Sequence, residues 1–208
     1  MMVEHYFSAH EDEPFVEQPL RVRLGGAERD LVSAPGIFSP KALDKGTAVL
    51  LDEVPALPEA GSRFLDVGCG WGPIALSMGL QRPDAEVVAV DVNRRSLELT
   101  RRNAARLGLT GIRPVTPEAV DPRLRFDAIW SNPPIRVGKQ VLHELLMTWL
   151  VRLAPAGQAH LVVQKNLGAD SLQRWLDQAL REREPGAFDV DRAATAKGFR
   201  ILRVTRAA

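Results

Sequence analysis

The chain has 208 residues and a mass of 22.9 kDa, which is enough for one domain with a full hydrophobic core. Its 45% hydrophobic and 25% charged residues argue against a disordered or fibrous chain, and no apolar run reaches the roughly 18 residues that cross a bilayer. The net charge of +1 argues against a protein that binds nucleic acid through an excess of charge alone.

The N-terminus and the cysteine content bear on the compartment. Residues 1–14 are acidic and polar and lack the basic and apolar segments of a signal peptide, so we expect a cytoplasmic protein. The single cysteine, Cys69, excludes an internal disulfide and a cysteine-based zinc site, and the four histidines lack metal-ligand spacing. We therefore expect neither a metal ion nor a membrane partner.

The first predicted elements form a β-hairpin. Two strand-like segments, at residues 20–24 and 29–32, surround Gly25 and Gly26. Fewer than fifty residues make a poor independent core. We therefore predict an N-terminal extension over residues 1–45 that packs on a main domain over residues 46–208.

From residue 63 onward, short apolar runs alternate with segments of helical length. The runs predict strands at residues 63–67, 86–90, 126–130 and 159–163. Apolar periodicity predicts helices at residues 93–107, with Asn93 as N-cap, and at residues 141–153. Two further strands, at residues 188–193 and 199–205, are predicted to end the sheet antiparallel. The alternation indicates an α/β fold with a mostly parallel sheet covered on both faces.

A glycine-rich turn, Asp66-Val-Gly-Cys-Gly-Trp-Gly72, follows the first strand of this series. Glycines at a strand-to-helix turn let a ligand approach the backbone, and Asp91 ends the next strand, where a carboxylate can hold a ribose diol. The spacing differs from the dinucleotide pattern, and the Asp66 carboxylate would repel phosphate but attract an ammonium group. The turn therefore predicts a nucleoside cofactor that carries an amino acid, bound by Asp66, Gly68, Gly70, Gly72 and Asp91.

A second candidate site, Ser131-Asn-Pro-Pro134, directly follows the strand predicted at residues 126–130. Successive prolines cannot continue a ladder, so the segment forms a rigid turn that projects the Asn132 side chain and exposes carbonyl oxygens. These acceptors suit a planar amine, because two hydrogen bonds would orient its lone pair toward the bound cofactor. We predict Asn132, Pro133 and Pro134 as catalytic residues; the alternative is a turn with a purely structural role.

The glycine-rich turn resembles the first motif of class I S-adenosylmethionine-dependent methyltransferases, in which the acid helps to place the methionine amine. The wider pattern resembles their small-domain type, which includes the ribosomal RNA guanine-N2 methyltransferases. The matching segments are residues 35–39, 43–47, 132–139, 163–168 and 197–202. The resemblance implies a Rossmann-like sheet of seven strands with one antiparallel strand, S-adenosylmethionine as the cofactor, and ribosomal RNA or a ribosomal particle as the partner.

The sequence departs from this family at three points. The better-known ribosomal RNA members carry two related domains, whereas the pattern here covers one. Ile135 stands where many relatives place an aromatic residue that stacks on the target base, and Glu118 stands near the position of the Asp or Asn beside the cofactor adenine. We assign Glu118 and Asn132 to the cofactor as well, and we assign the substrate to Phe38, Ile135, Arg136 and Lys139.

The sequence thus predicts methyl transfer to an exocyclic amine, and more specifically to guanine N2 of ribosomal RNA. One alternative is a protein glutamine methyltransferase, but that group typically has Tyr where this chain has Ile135. Another is a non-catalytic RNA-binding module with the same fold, although intact Asp66, Asp91 and Asn132 argue against it. A dehydrogenase is least compatible with the glycine spacing. Arg95 and Arg102, on a predicted helix, are further candidates for contacts with RNA phosphates.

Overall fold

The computed structural model describes residues 15–208. Residues 1–14, the acidic segment from which we expect a cytoplasmic protein, lie outside the described residues. The strands are β1 (Gln18–Leu24), β2 (Ala27–Ser33), β3 (Arg63–Val67), β4 (Glu86–Val90), β5 (Ile112–Val115), β6 (Phe126–Ser131), β7 (Leu153–Gln164), β8 (Phe188–Ala196) and β9 (Phe199–Arg206). The helices are α1 (Lys45–Glu53), α2 (Pro73–Gln81), α3 (Arg94–Arg106), α4 (Lys139–Leu150) and α5 (Ala169–Arg183). Short 3-10 turns lie at Pro117–Ala119, Ile135–Val137 and Lys165–Leu167.

Seven of the strands form one sheet, and the other two form a separate hairpin. The order in the sheet is β5-β4-β3-β6-β7-β9-β8. Strand β9 runs antiparallel to both of its neighbours, while all other neighbouring pairs are parallel. This topology confirms the predicted α/β fold of seven strands with one antiparallel strand.

The central strands are continuous apolar runs because helices cover both faces of the sheet. On one face, α1, α2 and α3 bury Phe64 and Trp130. On the other face, α4 and α5 bury Leu65 and Leu161. Alternate residues of each strand therefore belong to two different cores, and the carboxyl ends of the strands remain free of helix for loops to use.

Of the two helices predicted from periodicity, α3 begins where it is predicted to begin, whereas α4 ends earlier than predicted. The predicted N-cap of α3 is present, since Asn93 Oδ1 accepts a hydrogen bond from Arg95 N at 2.9 Å. The helix predicted over residues 141–153 instead ends at residue 150, because Leu153 begins β7. Its outer side is exposed at Glu144 and Thr148, so α4 packs one apolar stripe on the sheet. Within residues 15–208, no helix has the length and hydropathy to cross a membrane.

The predicted hairpin is present and forms an additional layer outside α2 and α3. A two-residue turn at residues 25–26 joins its strands. Side chains of β1 alternate between solvent and core, and Leu20 and Leu24 are buried with Leu76 of α2 and Leu99 of α3. The hairpin therefore shares a core with two helices of the main domain, and the division at residue 45 stays a prediction.

One buried side chain connects this hairpin to the rest of the fold. Asn103 on α3 is fully buried, and its Oδ1 accepts a hydrogen bond from Val32 N at 2.8 Å. Its Nδ2 donates to Val32 O and to Trp71 O, each at 2.9 Å. A single amide thus satisfies three buried backbone groups, two in β2 and one in the glycine-rich turn, that would otherwise be costly to bury.

The substitution Asn103→Ala leaves these three backbone groups without partners in a buried region. We expect the free energy of unfolding to fall by about 3 kcal/mol, measured by urea denaturation. Asn166→Ala, at an exposed position, is the matched control and should change stability by no more than about 0.5 kcal/mol. A loss at Asn103 as small as that of the control would contradict this role.

Candidate functional site

The candidate site is a cleft at the carboxyl edge of the sheet. In the sheet, β3 lies between β4 and β6. The chain leaves the carboxyl end of β3 toward β4, so the loops that follow β3 and β6 run in opposite directions and leave a cleft between them. The glycine-rich turn after β3 and the proline turn after β6 therefore border the same space. The cleft is lined by Phe38, Ser39, Asp44, Thr47, Gly68, Cys69, Gly70, Trp71, Pro73, Ile74 and Asn132.

The glycine-rich turn presents bare backbone to this cleft. Gly68, Gly70 and Gly72 have φ angles of 79°, 56° and 98°, in the left-handed region that favours glycine. A Cβ at Gly68 or Gly70 would enter open space. The N–H groups of these two glycines donate inward, to Val90 O at 2.8 Å and to Asp91 Oδ2 at 2.9 Å. The turn therefore does not offer these donors to a phosphate, as a dinucleotide-binding turn does.

Beneath the turn, Asp66 places a carboxylate at the first turn of α2. Its Oδ2 accepts a hydrogen bond from Ala75 N at 3.0 Å, whereas its Oδ1 is buried and has no hydrogen-bond partner within residues 15–208. Burial raises the pKa of Asp66 to about 8, against the lowering effect of the Ala75 hydrogen bond and with a smaller contribution from the Asp91 carboxylate. A cation that reached Oδ1 would stabilise the ionised form, and a phosphate would be repelled.

Asp91 lies at the end of β4 and holds the loop around it. Its Oδ2 accepts from Gly70 N, and its Oδ1 accepts from Asn93 N at 2.8 Å. Burial raises the pKa of this carboxyl, although its hydrogen bonds act in the opposite direction. Ser96 and the Val92 backbone also hydrogen-bond to this carboxyl, but Asp91 is only half-buried, so part of it is accessible to a diol.

Asn132 enters the cleft from the opposite side. Its Nδ2 donates to Asp44 Oδ2 at 2.8 Å and to Thr47 Oγ1 at 3.0 Å. The orientation of the amide follows from the chemistry of its partner, because a carboxylate can only accept. The amide oxygen, Oδ1, makes no hydrogen bond with the described part of the chain. The side chain is thus held by its nitrogen while its oxygen is available to a ligand.

The contact between Asp44 and Asn132 depends on close packing around Gly46. A Cβ at Gly46 would lie 3.0 Å from Asp44 Oδ2, 3.1 Å from Phe199 Cε1 and 3.4 Å from Asn132 Nδ2. Asp44 also caps α1, since its Oδ2 accepts from Gly46 N at 2.7 Å and from Thr47 N at 3.1 Å. One carboxylate oxygen therefore fixes both the start of a helix and the amide of Asn132.

The prolines after Asn132 form the expected rigid turn, but their carbonyl groups are partly used. Pro133 O accepts from Ile135 N at 2.8 Å, and Pro134 O accepts from Val137 N at 3.2 Å. Each oxygen keeps one free acceptor position. Ile135 is half-buried and packs against the core shared with α4 and α5, outside the set of residues that line the cleft.

The other predicted site residues lie at different places around the cleft. Phe38 lines it and is 56% exposed. Arg136 and Lys139 are exposed just beyond the proline turn. Glu118 is exposed in the 3-10 turn after β5, two strands away from β3. Within residues 15–208, no group of three or more His, Cys, Asp or Glu side chains is arranged to hold a metal ion.

The two helix arginines considered for RNA contacts are engaged inside the protein. Arg102 forms ion pairs with Glu17 and Glu98. Arg95 donates to Pro35 O at 2.7 Å. These guanidinium groups contact the segments on either side of the hairpin, and their assignment to RNA phosphates stays a prediction.

The predicted site residues do not include Asp44 and Thr47, which hold Asn132, or Phe199, which packs beside Gly46. They fall in segments 43–47 and 197–202, which carry the family resemblance. However, Asp44 and Thr47 precede Asn132 by 88 and 85 residues, and no local pattern indicates which polar side chains will pair over such distances. Their position within family-like segments was the only available signal.

The sheet order, the glycine-rich turn and the amide opposite it define the class of protein, a methyltransferase with a Rossmann-like sheet. The chain superposes with a TM-score of 0.75 and 26% identity on the T. thermophilus 16S rRNA N2 methyltransferase RsmC in complex with AdoMet and guanosine, over 93% of this chain and 51% of that one. The family model of the methyltransferase small domain matches residues 28–203. The chain belongs to this family.

Curated relatives give the extent of the similarity. The uncharacterized protein YbxB of Bacillus subtilis (strain 168) is 33% identical over 208 residues, which cover 99% of this chain and 100% of YbxB. The ribosomal RNA small subunit methyltransferase C of Stutzerimonas stutzeri (strain A1501) is 33% identical over 89% of this chain and 53% of its own length. The chain thus spans the whole of YbxB but about half the length of the ribosomal RNA methyltransferases that it matches.

The raised pKa of Asp66 predicts an unusual pH dependence of stability. Between the ordinary value of 3.8 and about 8, the folded protein holds a proton that the unfolded chain releases, so this group makes stability fall as the pH rises. Asp66→Asn cannot ionise, and we expect it to gain stability relative to the wild type by up to about 1.4 kcal/mol per pH unit. Urea unfolding of both proteins at pH 5, 6 and 7 measures this difference. A difference that does not change with pH would mean that Asp66 is ionised in the folded protein.

Proposed function

We propose that the protein transfers a methyl group from S-adenosylmethionine to an exocyclic amine, the N2 of guanine in ribosomal RNA. The observation that carries the proposal is the amide of Asn132, whose nitrogen is held by Asp44 and Thr47 while its oxygen is left to accept from an amine. The complex of the T. thermophilus relative with AdoMet and guanosine supports both the cofactor and the base. The compartment that such a substrate implies is the cytoplasm.

The residues around the glycine-rich turn fit S-adenosylmethionine. The buried Oδ1 of Asp66 has no partner in the described chain, and the methionine ammonium would compensate the cost of that burial. The accessible part of the Asp91 carboxylate is assigned to the ribose hydroxyls, and Glu118 is assigned to the adenine. The bare backbone at Gly68 and Gly70 leaves room for the nucleoside. When bound, S-adenosylmethionine supplies an electrophilic methyl group on a sulfonium sulfur.

Asn132 and Pro133 orient the amine. The oxygen of Asn132 accepts one N–H, and the remaining acceptor position of Pro133 O takes the second. Two hydrogen bonds in the plane of the base leave the nitrogen lone pair perpendicular to that plane, toward the glycine-rich turn across the cleft. Pro134 keeps the turn rigid, and the exposed ring of Phe38 offers an apolar surface to the base.

The transfer needs no strong base. The amine nitrogen would bond to the methyl carbon as the bond from that carbon to the sulfonium sulfur breaks, with neutral S-adenosylhomocysteine as the leaving group. The nitrogen would then carry the positive charge and release a proton to water, which gives the neutral methylamine. The two acceptors stabilise the positive charge as it develops, because the N–H groups that they bind become more acidic. Asn132 therefore acts through position and electrostatics and does not take up the proton.

Asn132→Ala separates binding from chemistry. We expect it to keep its affinity for S-adenosylmethionine, measured by calorimetry, and to lower the rate of methyl transfer by about a hundredfold, because the lost contact orients the reacting amine. Thr47→Ser keeps the hydroxyl acceptor and should transfer methyl groups at close to the wild-type rate. If Asn132→Ala matched the wild-type rate, the proline turn would be structural and the mechanism would be wrong.

The substrate is tested by tritiated methyl transfer to ribosomal particles, naked ribosomal RNA, tRNA and a glutamine-containing protein. We expect label in ribosomal RNA, and nucleoside analysis should find it as N2-methylguanine. Guanine N2 is paired in a duplex, so accessible guanines in loops and at helix ends should be preferred. Label in the protein alone would favour a glutamine methyltransferase, and N6-methyladenine would refute the guanine assignment.

A further inference from the structure

The lysines of this chain all lie at the carboxyl edge of the sheet, around the cleft. The sequence contains five, at positions 41, 45, 139, 165 and 197. Lys41 and Lys45 lie on either side of Asp44, which holds Asn132, and Lys139 begins α4 just after the proline turn. Lys165 follows β7, and its N–H donates at 2.9 Å to Gly198 O, in the β8–β9 turn that contains Lys197. We call these five residues the lysine edge.

The lysine edge differs from the arginines in its electrostatic surroundings. More than half of the arginines pair with a carboxylate, as Arg63 does with Glu86. All five lysines are exposed, and only Lys197 has such a partner, Asp52 at 3.0 Å, within residues 15–208. The positive charges of the near-neutral chain are thus of two kinds. Most arginine charges are paired with carboxylates of the fold, whereas most lysine charges are unpaired within the described part of the chain and lie at one edge of the sheet.

Helix stability does not explain where these lysines stand. Lys45 is the first residue of α1, and Lys139 is the first residue of α4. A cation at a helix N-terminus opposes the helix dipole and is therefore unfavourable for the helix. The amino ends of both helices face the same edge, so their dipoles add to the positive potential of the ammonium groups. The arrangement lowers stability slightly and attracts anions.

We propose that the lysine edge binds the phosphate backbone of the RNA strand whose base enters the cleft at Asn132. The inference rests on the proposed function and names the surface that the substrate contacts. The partner is RNA because apolar groups accompany the lysines: Phe38 is 56% exposed and Leu167 is 39% exposed. Exposed apolar side chains next to cations suit unstacked bases joined by phosphates.

The test measures binding rather than methylation, with polyuridylate as the probe, because this polymer has phosphates but no guanine. Fluorescence titration of the full chain at several salt concentrations gives the slope of log K against log salt. The double variant Lys45→Gln/Lys165→Gln removes two phosphate contacts. We expect the slope to fall in magnitude by about 1.4 and the affinity at 0.1 M salt to fall roughly 25-fold.

A matched control has the same change in net charge. Arg174→Gln/Arg183→Gln alters two exposed arginines of α5 and should leave the affinity within about twofold of the wild type. Binding of S-adenosylmethionine by calorimetry confirms that each variant is folded. An equal loss in both double variants, or no loss at the lysines, would overturn the proposal.

Two further comparisons distinguish RNA from an acidic protein as the partner, and binding of RNA from methylation of guanine. Poly-L-glutamate presents carboxylates in place of phosphates, and tighter binding to it than to polyuridylate would assign the lysine edge to an acidic protein and overturn the RNA proposal. The polyuridylate result does not depend on guanine methylation. Failure of the methylation assay with retained lysine-dependent binding would therefore refute the reaction and leave the lysine edge supported.

Discussion

The carboxyl group of Asp66, buried at the centre of the sheet, determines which ligands the glycine-rich turn above it can bind. The carboxyl group of Asp66 in β3 lies at the first turn of α2, the place where related α/β proteins bind phosphate, and one of its oxygens has no partner in residues 15–208. The glycine N–H groups above it donate to Val90 and Asp91. The loop therefore offers a ligand bare backbone and a buried carboxyl group whose ionised form a cation would stabilise. The same strand-turn-helix unit that elsewhere binds dinucleotides is thereby suited to a cationic amino-acid group.

The opposite wall of the cleft depends on contacts between segments that are distant in sequence. Asp44 fixes Asn132, and Ser131 Oγ donates to Val67 O at 2.7 Å, which ties the end of β6 to the end of β3. The positions of the glycine-rich turn and of the Asn132 amide are thus set by hydrogen bonds as well as by packing. Such bonds hold a reacting group within the small tolerance that methyl transfer requires.

The fold was predictable to the extent that its signals are local. Strands buried on both faces are continuous apolar runs, and the limits of β3 and β4 were predicted residue for residue. The end of α4 was misplaced, because an apolar run does not reveal where a buried helix gives way to a buried strand. Partners such as Asp44 for Asn132, or Glu17 for Arg102, follow from the assembled topology, which local patterns do not contain.

The amide of Asn103 gives the molecule a mechanical property that no single element has. Because it bonds Val32 in the hairpin and Trp71 in the glycine-rich turn, the two cannot separate without breaking the same set of hydrogen bonds. The hairpin and the glycine-rich turn therefore open together, as one cooperative unit. Amide hydrogen exchange at Val32 consequently reports on opening of the glycine-rich turn. A ligand that fills the cleft therefore slows exchange in β2, which it does not contact.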